Sequence, residues 1–248
     1  MVPLAAIDDY PGPAVFAPRD RLAVALDFPS ARSALALVDR LEGSCRWFKV
    51  GMELFYASGA GLVHTLRERG FEVFLDLKLH DIPNTVAGAV RSVTSTGASL
   101  LTIHAAGGER MMQAAAEAAA VPGAPRLLAV TVLTSMDASE LATVGLSASP
   151  ADQVLRLARL AQQAGISGMV CSPMEVAMLR AELAPATMLV VPGIRPASAA
   201  ADDQRRTATP NAAVRDGASM LVVGRPITHS PDPAAAAAAV LREIETAF

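Results

Sequence analysis

The chain has 248 residues, 52% of them hydrophobic, which is enough for one large core or two small ones. Its 21 Lys and Arg against 24 Asp and Glu leave a formal charge of −3, so no global field marks it as a partner of nucleic acid or of an acidic membrane. Any anionic ligand must be met by a local cluster of cations.

Residues 1–20 contain Asp8, Asp9 and several prolines, without a basic stretch leading into an apolar one. They read as an N-terminal extension outside the main fold and not as a secretory signal. No apolar run reaches about 18 residues, the length that would suggest a membrane span, and the expected location is the cytoplasm. The two cysteines, Cys45 and Cys171, have no metal-ligand spacing and read as reduced core thiols.

From Arg21 onward, short apolar runs alternate with longer segments of helical spacing. The expected strands are 22–26, 47–50, 73–77, 100–103, 127–133, 169–171, 188–191 and 220–223. They are rich in Val, Leu and Ile with little polar alternation, as befits strands covered on both faces. Between them, 30–41, 60–69, 109–120 and 150–163 read as helices. A last helix is expected over 233–248, where Asp232 can cap and Pro233 suits the first position. The alanine run 234–239 belongs to it.

Eight such units predict an α/β fold, a single-domain (β/α)8 TIM barrel over 21–248. The competing architecture is an open doubly wound sheet. It is disfavoured by the count of eight and by the lack of a G-x-G-x-x-G turn after the first strand.

In a barrel, polar residues at the C-terminal ends of strands face the site. Those ends carry Asp27, Lys49, Asp76, Lys78, the following Asp81, and His104. A lone charge buried there would be costly, so charges of both signs must sit together. Residues two apart on a strand share a face, which directs Asp76 and Lys78 into the barrel mouth beside Lys49. Such an array favours the ionised form of each member. A structural salt-bridge network would explain one Asp–Lys pair, but four converging charges favour a functional site.

The seventh strand runs into Pro192-Gly193-Ile194-Arg195, and the eighth into Gly224-Arg225. Loops after these strands are the usual phosphate site of such barrels. Gly224 allows close backbone approach to an anion, and Arg225 can grip one through two hydrogen bonds. Among the histidines, His104 is the one tempting as an acid or base, although a hydrogen-bonded strand-end role is the plainer reading. His80 shapes the loop, His64 and His229 read as surface or helix positions, and Met111 and Met112 as core filling.

The block Phe74-Leu-Asp76-Leu-Lys78-Leu-His80-Asp81-Ile82-Pro83-Asn84-Thr85-Val86 resembles the signature of the orotidine 5'-phosphate decarboxylases, in their shorter bacterial form. Supporting matches, in the family's order, are Leu26-Asp27, Phe48-Lys-Val-Gly51, Thr131-Val-Leu-Thr-Ser-Met136, Val191-Pro-Gly-Ile-Arg-Pro196, Asp203-Gln-Arg-Arg206, Thr209-Pro210 and Val223-Gly-Arg-Pro-Ile-Thr228. The resemblance implies a cofactor-free, metal-free conversion of orotidine 5'-phosphate to uridine 5'-phosphate, the last step of de novo pyrimidine nucleotide synthesis. It implies that Lys78 donates the proton, flanked by Asp76 and Asp81, with Lys49 completing the array. Asp81 would serve the active site of the other subunit in a homodimer, with Ile82 and Thr85 travelling with it as substrate-binding positions. Asp27 and Lys49 would bind the ribose, Thr134 the pyrimidine edge, and Gln204, Gly224 and Arg225 the phosphate, with Arg195 nearby.

Two departures from the family pattern stand out. Asp202 precedes Asp203-Gln204 where the family often has Gly, and the extension before Arg21 has no counterpart. Two other functions compete. A sibling barrel enzyme, a decarboxylase or epimerase acting on a sugar phosphate with Mg²⁺, would reuse the Asp-x-Lys-x-x-Asp core. A non-catalytic phosphate-ligand binder is disfavoured by the intact Lys49, Asp76, Lys78 and Asp81.

Overall fold

The run Leu22-Ala-Val-Ala25 is buried along its whole length, because alternate residues face the barrel interior and the surrounding helices. The same holds for Met188-Leu-Val-Val191 and Met220-Leu-Val-Val223. In the computed structural model, which describes residues 17–41, 43–196 and 207–248, these runs belong to one closed ring of eight parallel strands.

In chain order the elements are β1 (Leu22–Ala25), α1 (Ala31–Arg40), β2 (Trp47–Gly51), α2 (Met52–Ser58), α3 (Ala60–Glu68), β3 (Glu72–Leu79), α4 (Pro83–Thr94), β4 (Leu100–His104) and α5 (Glu109–Ala118). There follow β5 (Arg126–Val130), α6 (Ala138–Thr143), α7 (Pro150–Gln163), β6 (Gly168–Val170), α8 (Val176–Glu182), β7 (Met188–Val191), α9 (Pro210–Arg215), β8 (Met220–Val223), α10 (Arg225–Thr228) and α11 (Pro233–Glu245). Short 3-10 turns at Pro18–Asp20, Ala105–Gly107 and Pro173–Glu175 complete the path. Strand β1 pairs with both β2 and β8, which closes the ring and leaves no edge. The expected (β/α)8 barrel is therefore the observed fold, and the open sheet is excluded.

Two apolar layers hold it. Ala23, Ala25, Phe74, Leu128, Val190 and Val222 belong to the smaller cluster, which fills the barrel interior. Their alternates, among them Leu22, Val24, Leu75, Leu101, Leu189 and Leu221, belong to the larger cluster shared with the helices. Met111 and Met112 are buried there, as expected of core filling, and so are Cys45 and Cys171.

Helix starts follow local chemistry. Ser149 accepts from the Asp152 N–H, and Asp232 from the Ala235 N–H, each just before a proline in the first turn. The boundaries of α7 match expectation, whereas α11 stops at Glu245 rather than 248. Strand β5 ends at Val130, three residues earlier than expected, and the chain turns across the barrel mouth there. Helix α4 begins inside the long charged block, at Pro83.

Strand β3 is longer than expected and irregular. Its pairing with β2 runs unbroken from Glu72 to Asp76. Against β4 the register jumps from Leu75↔Leu101 to Leu79↔Ile103, so four steps on β3 oppose two on β4. Within that bulge Lys78 takes φ +49°, the one positive-φ residue other than glycine among the described residues. For a bulky side chain this region is costly and persists only when the surroundings enforce it.

Candidate active site

The cavity at the C-terminal end of the barrel has a volume of about 270 Å³. Phe74, Val130, Val170 and Val222 contribute apolar walls, and Asp27, Lys49, Asp76 and Lys78 line one side. Thr134, Gly193, Arg195, Gly224 and Arg225 line the rest of the mouth. Gly193 has φ +79°, a turn that glycine adopts without steric cost where the chain leaves β7.

The charged side forms a chain of contacts. Lys78 Nζ donates to both Asp76 carboxylate oxygens at 2.8 Å. Lys49 Nζ donates to Asp27 Oδ1 at 2.9 Å and lies 3.7 Å from Asp76 Oδ2. The chain is graded in burial: the Asp27 side chain is 63% exposed, whereas those of Lys49 and Asp76 are 10% and 13% exposed. Burial works against the Asp76 charge, but Lys49, Lys78 and the Thr102 hydroxyl outweigh it and hold the carboxyl below the ordinary carboxylate range.

His104 extends from the end of β4, and its ring centroid lies 5.3 Å from that of His80. Its burial, together with His80 and Lys78 nearby, pushes its pKa below the usual histidine value despite the opposing pull of Asp76. The neutral imidazole is therefore favoured near pH 7. His64 and His229 are exposed, as expected.

The structure separates the sequence-derived residues into groups. Asp27, Lys49, Asp76, Lys78, Thr134, Arg195, Gly224 and Arg225 all line the one cavity. Asp81, Ile82 and Thr85 do not line it; all three are exposed, at the entry to α4. Asp81 Oδ1 accepts from the Ile82 N–H at 2.6 Å, and the Ile82 side chain is left 67% exposed. Gln204, with Asp202 and Asp203, lies outside the described residues.

Two roles escaped the sequence reading, which quoted Gly51 only as part of a matching block. A Cβ on Gly51 would approach Lys49 Nζ to 3.0 Å and Asp27 Oδ1 to 3.3 Å, so glycine there keeps space for that pair. Thr102 is fully buried and bonded to both Lys78 and Asp76. The available signal was a hydroxyl residue inside an apolar strand, two positions before His104 and so on its face.

Fold and site define a (β/α)8-barrel protein with a lysine–aspartate array and two arginines around one mouth. Residues 20–240 match the family model described as orotidine 5'-phosphate decarboxylase / HUMPS family. The chain is 55% identical over 228 residues to the orotidine 5'-phosphate decarboxylase of Halorhodospira halophila, covering 92% of this chain and 97% of that one. It is also 55% identical to the enzyme of the same name from Anaeromyxobacter sp., covering 90% and 97%. The crystal structure of orotidine 5'-phosphate decarboxylase from Lactobacillus acidophilus superposes with a TM-score of 0.81 at 38% identity, over 91% of this chain and 99% of that one. The chain belongs to the orotidine 5'-phosphate decarboxylase / HUMPS family.

Proposed function

We propose that the chain decarboxylates orotidine 5'-phosphate to uridine 5'-phosphate without a metal or organic cofactor, and that Lys78 delivers the proton. The observation that carries this reading is the Lys78–Asp76 pair in a cavity whose lining also includes Arg195 and Arg225. The bond from pyrimidine C6 to its carboxylate breaks, CO2 leaves, and the electron pair stays on C6. The Lys78 ammonium, fixed by two bonds to Asp76, stabilises that developing charge and then transfers a proton to it. Solvent restores the lysine proton. Asp76, kept ionised by its lysine neighbours, would face the departing carboxylate.

Arg225, the Gly224 backbone and Gln204 hold the 5'-phosphate in this reading, with Arg195 beside them. Asp27 and Lys49 hold the ribose hydroxyls, and Thr134 the pyrimidine edge. Binding energy from the non-reacting phosphate can then be used to hold the charged array against the pyrimidine. The protein works as a cytoplasmic homodimer in which Asp81, Ile82 and Thr85 serve the partner's cavity. Their exposure outside their own cavity supports this assignment. Residues 1–20 form an extension to the catalytic domain 21–248, in keeping with a family match that starts at residue 20.

The test is loss of orotidine 5'-phosphate absorbance on addition of the protein in the presence of EDTA. Full activity is expected. No turnover with or without Mg²⁺ would overturn the decarboxylase reading and favour a sugar-phosphate enzyme of the same family, and activity abolished by the chelator would overturn the metal-free mechanism.

A further inference from the structure

Where β3 bulges against β4, Lys78 falls between the paired residues Leu75 and Leu79. Its backbone N–H donates to Thr102 Oγ1, at 2.8 Å. Thr102 Oγ1 in turn lies 2.9 Å from Asp76 Oδ1. A backbone N–H can only donate and an ionised carboxylate can only accept, so the direction of both bonds is fixed. The hydroxyl accepts from Lys78 and donates to Asp76. It sits on β4, an element that contributes no residue to the charged array lining the cavity, and is fully buried.

We infer that Thr102 is a positioning residue, a clasp that holds the Lys78 backbone in its left-handed conformation while fixing the Asp76 carboxylate that orients the Lys78 ammonium. One hydroxyl thereby constrains both ends of the same lysine. Without it, the half-buried Lys78 N–H loses its Thr102 partner, and the costly φ of +49° loses a bond that offsets it. The bulge can then relax toward regular pairing with β4, which re-aims the lysine side chain. A misplacement of about 1 Å at a reacting group is enough to lower turnover about a hundredfold.

Asp76 also faces Lys49 on β2, Lys78 on its own strand and His104 on β4, with Asp27 behind Lys49. Thr102 is the neutral hydrogen-bond donor among these groups. Removing it raises the Asp76 pKa toward the ordinary value without changing any charge.

This inference rests on the proposed roles of Lys78 and Asp76, and its test has one arm that needs no turnover. Thr102→Val keeps the shape and removes the hydroxyl; Thr102→Ser keeps the hydroxyl. For Thr102→Val, kcat should fall about tenfold to a hundredfold, with KM and uridine 5'-phosphate binding changed by less than about threefold. Its acidic kcat/KM limb should move to higher pH. Thr102→Ser should return kcat to within about threefold of the parent and restore that limb. A purely structural role would lower the melting temperature without moving the pH limb. Native kcat and an unmoved limb in Thr102→Val would overturn the clasp, as would equal losses in the Val and Ser variants.

In the unsubstituted protein, the Lys78 amide should be among the slowly exchanging ones by hydrogen exchange. Exchange as fast as that of an unprotected peptide amide would overturn the clasp whether or not the decarboxylase reading holds. If the protein proves inactive, slow exchange at Lys78 still supports the clasp while the reaction assignment fails alone.

Discussion

Lys78 folds its ammonium back onto both carboxylate oxygens of Asp76, at 2.8 Å each, although the two residues stand only two positions apart on one strand. The bulge in β3 and the positive φ of Lys78 accompany this geometry. The lysine is thus held by its neighbour rather than left to sample solvent, as a preorganised charge requires.

Lys78→Ala should lower kcat by about a thousandfold or more, because both the fixed positive charge and the proposed proton source are lost. Uridine 5'-phosphate binding should remain measurable by calorimetry. Residual turnover within tenfold of the parent would contradict the assigned proton donor.

Arg225→Ala should lower kcat/KM about a hundredfold, although Arg225 follows β8, three strands round the ring from Lys78 on β3. Steady-state kinetics with orotidine 5'-phosphate checks this, and an unchanged kcat/KM would remove the phosphate assignment.

The exposed Asp81-Ile82-Thr85 group yields a complementation experiment. Lys78→Ala and Asp81→Ala homodimers should each be nearly inactive. Mixed heterodimers contain one cavity with native Lys78 and native partner Asp81, so mixing after subunit exchange should restore about a quarter of parental activity if subunits pair at random. No recovery despite demonstrated exchange would argue that Asp81 acts within its own chain.

Acid should destabilise the fold in two stages. His104 has a folded pKa below its ordinary 6.5, so its contribution is fully present above that value and is lost as pH falls through the folded one. Asp76 is likewise shifted below its ordinary 3.8, and its contribution is lost at still lower pH. Melting temperatures measured from pH 8 to pH 3 should therefore fall less steeply below pH 6.5 in His104→Gln, and less steeply below pH 4 in Asp76→Asn. Slopes identical to the parent would contradict these shifts.

Burial pushes the Cys45 thiol up to about 12, which leaves almost no thiolate at pH 8. Native protein should resist alkylation at Cys45 for hours, and denatured protein should react within minutes, as read by peptide mass mapping. Rapid modification of the folded protein would contradict the core assignment.

Much of the barrel was legible in the chain. Strands covered on both faces need continuous apolar runs, and eight such runs sit between helical segments, so residues 188–191 and 220–223 are found where expected. Strand ends were harder to read. β5 stops at Val130 although Thr131, Val132 and Leu133 continue an apolar pattern, because the next residues turn to line the cavity. Of the site, Asp27, Lys49, Asp76, Lys78 and Arg225 were legible because charge at an apolar strand end has few alternatives to a shared pocket. Thr102 was not, because a buried threonine in a strand is ordinary until its partners are known.

By itself, then, the sequence determined the eightfold alternation, the mouth of the barrel that carries the charges, and the shared face of Asp76 and Lys78. These follow from periodicity and from the cost of burying a lone ion. Only the tertiary structure decided that β3 bulges against β4, that Lys78 lies at positive φ, and that Thr102 bridges its backbone to Asp76. The resemblance already assigned Asp81 to the partner's site, and the structure leaves it outside the cavity that Asp76 and Lys78 line. Register between strands is set by pairing across the ring, and no local pattern along one strand contains it.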